Sequence, residues 1–292
     1  MLARLLASAL AVAMVAGAVA YRSSRDGGGD GGADKGVIVC ARELGGVCDA
    51  IPGAQRELAS VTADRLARAP SRAEAGVAAW LAPGPWAAMV DEQRRQGPLF
   101  DRSEVLATTR LVAVIRKGQP VAACETEVTW RCLGDAAQDP AFRIAGDPPE
   151  GAYGLFVRAA ALGGLLGPDY FINDVEGEAL GWLANLDDRL AAAPRFGATS
   201  LQQFLVIPGS ARAYLTSAAA SDQLDARASA DVATPAPVAT VGATLVTVKG
   251  ASVDRRAVSE RLAAAGWEAG PVDGDDGLPS PGVLLALREL LR

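Results

Sequence analysis

FRIAGDPPEGAYGLFVRAAAL, residues Phe142 to Leu162, holds the clearest strand–loop–helix signal in the chain. Phe142 to Ala145 is a short apolar run that ends at Gly146 and Asp147. Pro148 and Pro149 forbid a helix at that point, and apolar residues at helical spacing begin near Gly151. The expectation is a strand, a tight loop and the start of a helix. A helix start carries unpaired N–H groups and a partial positive charge, so it holds a polar or anionic group without side-chain help.

The rest of the chain reads in the same alternation. Val37 to Ala41 is a buried-type strand, followed by Arg42, Glu43, a glycine pair and a short helical segment. Gln55 to Val61 fits strand or helix, and Thr62 is placed to cap a helix over Ala63 to Ala69. Val77 to Leu81 and Glu104 to Ile115 read as strands, with a helix from Trp86 to Gln96 between them. Thr126 to Ala137 reads as loop and short helix around Trp130. Helices follow at Val175 to Ala193 and Ser200 to Ile207, a strand at Ala211 to Thr216, and a loop over residues 218–237. Val238 to Val248 is strand-like, and helices over Val253 to Ala265 and Gly282 to Leu291 close the chain. Strands alternating with helices predict parallel sheets covered on both faces.

Composition narrows the function. Half of the 292 residues are hydrophobic, the formal charge is −6 and there is no histidine. The acidic balance argues against a nucleic-acid partner, and the missing histidine removes the commonest general base and metal ligand. Neither a G-x-S-x-G elbow, a phosphate-binding Walker loop nor an S-x-x-K motif occurs, so no catalytic residues, cofactor or resident metal are expected. The adjacent acids Asp187 and Asp188 read as surface residues. Asp273 to Gly277 hints at a calcium loop, but Leu284 stands where the twelfth-position acid belongs.

The N-terminus predicts export. A basic start, an apolar run of about 16 residues from Leu5 to Ala20 and a small-x-small Ala18-Val19-Ala20 have the form of a signal sequence over residues 1–21. The run is just short of a membrane span, so cleavage and a retained single-pass anchor are both open. Residues 22–36 are a Gly/Asp-rich tether. Four cysteines in an exported chain point to disulfides. Of the three connectivities, local pairing of Cys40 with Cys48 and Cys124 with Cys132 is favoured; eight-residue gaps without histidine are poor zinc spacing.

Several of these segments together resemble type II periplasmic, or extracellular, solute-binding proteins, the class that includes molybdate binders. VIVCAREL resembles the opening strand and its ligand turn. LATTRLVAVIRKG is similar to the crossing strand, FRIAGDPPEGAY to the second-lobe loop, and ARAYLTSAAA to the strand before the return. AAAGW and GLPSPGVLLALRELL look like the closing helices of actinobacterial substrate-binding domains. The resemblance implies a two-lobed α/β fold, each lobe a mainly parallel sheet flanked by helices. One lobe would comprise residues 37–113 with 232–292, the other 114–231. It implies a cleft that closes on a small solute and an ABC-type permease as partner. The alternative is a tethered envelope module for protein interaction, with a von Willebrand A-type partner as one form.

Matched residue by residue, the resemblance puts Arg42, Glu43, Trp86, Thr108, Thr109, Arg110, Gly151, Ala152, Tyr153 and Thr216 at the cleft. Each has a plainer reading. Glu43 suits a helix N-terminus, Arg42 a solvated surface, Trp86 a core, the two threonines a strand, and Tyr153 burial against a sheet. The chain departs from tetrahedral-oxyanion binders where they carry serine and it carries Glu43. A carboxylate there repels an oxyanion, so a cationic, zwitterionic or neutral solute is expected.

Overall fold

The computed structural model describes residues 36–124, 126–191, 200–207, 209, 211–223, 229–270 and 277–292. The signal or anchor segment, nearly all of the tether and most of the Asp273 to Gly277 turn lie outside the described residues. Among those described, no helix is long and apolar enough to cross a membrane.

In chain order the elements are β1 (Val37–Ala41), β2 (Gln55–Glu57), α1 (Ala59–Arg68), α2 (Arg72–Ala75), β3 (Val77–Pro83), α3 (Trp86–Gln93) and β4 (Arg102–Arg116). Next come α4 (Trp130–Gln138), β5 (Ile144–Gly146), α5 (Ala152–Leu166), α6 (Gly177–Ala191), α7 (Ser200–Val206) and β6 (Ala213–Ser217). The chain ends with α8 (Ala218–Asp222), β7 (Ala230–Ala233), β8 (Thr240–Thr247), α9 (Arg255–Ala264), β9 (Glu268–Ala269) and α10 (Pro281–Leu290). The strands form the order β2-β1-β3-β8-β4-β6-β5, with β7 and β9 also on β4.

β4 is the shared member of two half-sheets. Its first part, Arg102 to Arg110, pairs with β8 and β9; its last part, Leu111 to Arg116, pairs with β6 and β7. A run of 15 residues is long for a strand. It is long because it serves two sheets in succession, and its centre from Leu106 to Val114 is buried apart from Arg110. The two sheets therefore share a backbone, and residues Gly36 to Arg292 make one compact unit.

The sheet is mixed, which corrects the expectation of mainly parallel lobes. Only β1–β2, β1–β3 and β5–β6 are parallel, at the two outer flanks; every pairing of β4 and β8 is antiparallel. The reason is topological. β4 leaves the first sheet for the second and β8 returns beside it, so the two crossing strands run oppositely. Within residues 218–237, expected as a loop, the described residues form α8 and β7. β7 was hidden because its sequence, ADVA, is short and interrupted by an aspartate, and its residues are exposed or only partly buried.

The helices cover both sheet faces. α5 is buried without interruption from Ala152 to Gly163 and packs on α4, α6, α10 and β6. That explains its sequence, apolar on every side except Arg158. A smaller cluster of Val112, Val114, Ala145, Phe204 and Tyr214 seats α7 on the other face of the second sheet. Both local disulfides are present, Cys40–Cys48 and Cys124–Cys132.

Thr62 does not cap α1. The helix starts three residues earlier, at Ala59, and the Thr62 hydroxyl donates to Glu57 at 2.6 Å. Nor is Asp187 a plain surface acid. It accepts at 2.5 Å from Nε of Arg158, a side chain with no exposure at all. A guanidinium buried on a core helix needs such a partner, and its Nη1 also donates to the carbonyls of Asp147 and Gly154 at 2.9 Å.

The loop before α5 is held close by Gly154. A Cβ there would lie 2.0 Å from the Pro148 carbonyl oxygen. Gly154→Ala should therefore destabilise by roughly 1–3 kcal/mol through overpacking, a fall in Tm of about 2–4 °C per kcal/mol for a chain of this size. Gly181→Ala, on the exposed side of α6 where a Cβ meets nothing within 4 Å, should leave Tm unchanged or raise it. Thermal denaturation of both variants checks the contrast; equal effects would refute it.

Candidate functional site

A cavity of about 530 Å³ lies at the carboxyl ends of β1, β5 and β6. The turn after β1 contributes Arg42, Glu43 and Gly45. The loop after β5 contributes Asp147, Pro148, Glu150 and Gly151, and the first turn of α5 adds Tyr153. Tyr214 and Thr216 of β6 project into it from the same strand face, two residues apart. Ala219, Ala220 and Gln223 of the following segment, with Trp267 before β9, complete that side.

The sequence around β1 dictates how Glu43 is presented. Gly45 adopts φ 57°, ψ −126°, which breaks the helical segment over Arg42–Ala50 into two pieces. The Cys40–Cys48 bond ties the end of β1 to the far side of that turn, with Cα atoms 5.7 Å apart. Held this way, the Glu43 carboxylate faces inward. Both of its oxygens accept from the Ala59 N–H at 3.2 Å, and the Ala152 N–H also favours its charged form. Ala59 opens α1 and Ala152 opens α5. Neither helix has a capping side chain of its own, since Leu58 and Gly151 stand at the two caps. Glu43 supplies from a distance what a local Ser, Thr or Asp would otherwise provide.

Asp147 lies near Glu43 and accepts from the Tyr214 hydroxyl at 2.8 Å. Burial pushes the Asp147 carboxyl up, against the pull of Tyr214 and Arg158. Burial also pushes Glu43 up; the backbone N–H groups oppose this and the Asp147 charge adds to it. Tyr153 is driven up by burial as well, against the pull of Ser217. The lining is thus acidic, with Glu43, Asp147 and Glu150 against the Arg42 guanidinium. Among the described residues, no group of three or more histidine, cysteine, aspartate or glutamate side chains is arranged to hold a metal ion.

Of the ten residues expected at a cleft, Arg42, Glu43, Gly151, Tyr153 and Thr216 line this cavity. The other five lie elsewhere. Trp86 has no exposure and packs on Phe156, ring centres 6.1 Å apart, with the Arg288 guanidinium 5.0 Å from its ring. Thr108 is buried in β4, and Thr109 Oγ1 accepts from the Ala219 N–H at 3.0 Å, capping α8. Arg110 pairs with Glu268 at 2.6 Å. Ala152 is buried and offers its backbone N–H to Glu43. Asp147, Glu150, Tyr214 and Trp267 were missed. Tyr214 had a signal, because strand alternation puts it on the face of Thr216; Trp267 is more than 50 residues further along the chain and had none.

No protein-family model matches the sequence, and no curated protein matches it. Solved structures do match the fold. The ferric binding protein of Campylobacter jejuni superposes with a TM-score of 0.53 at 11% identity, over 87% of this chain and 96% of that one. The Trichodesmium IdiA (FutA) protein, solved with iron and citrate, gives 0.53 at 11% over 87% and 96%. The sulfate-binding protein SubI of Mycobacterium tuberculosis H37Rv gives 0.52 at 12% over 80% and 86%. The chain has the two-lobed α/β fold of these binding proteins.

The two raised carboxyls make a signed prediction. Each binds a proton more tightly in the folded state, so each adds stability that is full below its ordinary value, 4.5 for Glu43 and 3.8 for Asp147, and is lost as pH rises through the raised one. Asp147→Asn keeps an acceptor for Tyr214 and removes the charge. Its Tm relative to the unaltered protein should be more favourable at about pH 7 than at about pH 4. A difference that is flat or reversed between the two would show that Asp147 does not bear this cost.

Proposed function

We propose that this chain is an exported solute-binding protein that closes on a small ligand and delivers it to an ABC-type importer. The observation that carries the reading is the cavity itself, about 530 Å³ and lined from both half-sheets at the carboxyl ends of their strands. That volume suits a metabolite, and that position is where open α/β sheets take ligands. The fold shared with binding proteins of iron and sulfate supports the same reading. So do the signal-like N-terminus and the two disulfides.

Under this proposal residues 37–113 with 232–292 form one lobe and 114–231 the other. β4 and the link from β7 to β8 cross between them. Arg42, Tyr153, Thr216, Gln223 and Trp267 contact the solute. The acidic lining favours a cationic, zwitterionic or neutral solute over an oxyanion. The sulfate of one structural neighbour is not carried over, since an acidic lining opposes it, and neither is the iron of the others, since among the described residues no group of three or more histidine, cysteine, aspartate or glutamate side chains is arranged to hold a metal ion. Binding needs no bond chemistry, and no catalytic role is assigned to any residue.

A thermal-shift screen of amino acids, polyamines, quaternary amines and sugars tests the reading. At least one should raise Tm in a saturable way, and Ala220→Trp, which fills the cavity from a partly exposed position, should abolish that rise at unchanged basal Tm. Absence of any shift across the screen would count against solute binding.

A further inference from the structure

Two helix starts converge on one point of the cavity wall, and that point is already occupied. α1 and α5 are ten and fifteen residues long, so each presents a partial positive charge at its first turn. They belong to different half-sheets: α1 packs on α3, which lies against β3 of the first, and α5 packs on β6 of the second. Neither is capped by a neighbouring residue. Beside them sits one carboxylate, that of Glu43, which takes the Ala59 N–H with both oxygens and lines the same cavity as Gly151 at the start of α5, whose Ala152 N–H favours its charge. Ala59 is 16 residues along the chain from Glu43, and Ala152 more than 100. Such a reach is not a helix capping itself.

We infer that Glu43 is a built-in anion: it fills an oxyanion pocket formed by the starts of α1 and α5, joins the two halves of the molecule there, and bars anionic solutes from that end of the cavity. This deepens the solute-binding reading by naming the residue that sets selectivity. It rests on that reading only for the word solute, since the anion pocket exists whether or not a metabolite binds beside it. The chemistry is plain. An incoming carboxylate, sulfate or phosphate would have to displace Glu43 from its donors and then stand against both its charge and that of Asp147. Deleting the side chain beyond Cβ frees the donors and removes the nearer charge. A free anion then has a place of the right sign and a cavity wall to approach along.

Chemical rescue distinguishes this from a merely structural glutamate. Glu43→Ala and Glu43→Gln would be purified in a buffer free of oxyanions, and Tm followed as acetate, formate or sulfate is added at constant ionic strength. The unaltered protein should show no specific shift. Glu43→Ala should lose stability and regain a few degrees on addition of acetate or sulfate, saturably. Glu43→Gln, which keeps the pocket filled, should gain nothing. If Glu43→Ala fails to fold alone, the inference requires acetate or sulfate to restore the fold during refolding. Equal responses from all three proteins, or no recovery of Glu43→Ala by any anion, would overturn it. These arms use small anions on variants, so their failure leaves the metabolite screen on the unaltered protein standing, and the reverse also holds.

Discussion

One strand carries the architecture. β4 runs unbroken through both half-sheets, and the changeover from β8 to β6 falls between Arg110 and Leu111. Everything that lines the cavity is placed by reference to it. β8 and β3 bring β1 into the first half-sheet; β6 brings β5 into the second. The two loops that face each other, after β1 and after β5, belong to opposite outer flanks of one continuous hydrogen-bonded path. A strand at the junction of two sheets cannot tolerate a break, because losing its ladder would unpair both at once. Its buried apolar centre, with β-branched residues at Thr108, Thr109, Val112, Val114 and Ile115, fits that demand.

Closure of the facing loops is the second constraint, and it is electrostatic. The chain offers two uncapped helix starts to the same space, each with N–H groups that must find an acceptor when buried. A single carboxylate from a third segment takes the Ala59 N–H of one, and the Ala152 N–H of the other favours its charge. The cost is visible in the raised proton affinity of Glu43, where burial outweighs the N–H groups that favour its charge. Glu43 is retained at some cost in stability, as residues that shape a site commonly are.

Much of this was legible in the sequence because it is local. The alternation of strands and helices, the two disulfides and the loop–helix junction at Gly146 to Ala152 follow from propensity, cysteine spacing and the proline pair. The ligand turn after β1 was legible too, including the suspicion that Glu43 served a helix start. What could not be read was which helices it served, because Ala59 and Ala152 announce nothing in sequence and only the fold brings them to the carboxylate. Thr62 misled for the complementary reason. A threonine three residues inside a helix looks like its cap when the real acceptor comes from elsewhere. Thr108, Thr109 and Arg110 were drawn in by proximity in sequence to the crossing, whereas strand geometry commits them to the sheet, to capping α8 and to an ion pair, in that order. Strand β7 and the Trp267 wall had no periodic signal strong enough to see.

Arg158 shows how the same logic reaches outward from the cavity. It is the sole charged residue on α5, and it has no exposure. Its Nη1 holds the carbonyls of Asp147 and Gly154, one at the start of the loop after β5 and one in the first turn of the helix. Its Nε takes the Asp187 carboxylate from α6. The guanidinium therefore clamps the loop to the helix that follows it, from behind, while Gly154 lets the Pro148 carbonyl approach from the front. Arg158 also lowers the proton affinity of Asp147, opposing burial at the one carboxylate that faces Glu43. Removing Asp187 would leave a buried cation without its counterion, a loss of about 3–5 kcal/mol for such a pair. That is ample to loosen the loop and, through it, the position of Asp147. The acidic wall of the cavity thus depends on a cation that holds it from behind and does not line the cavity itself.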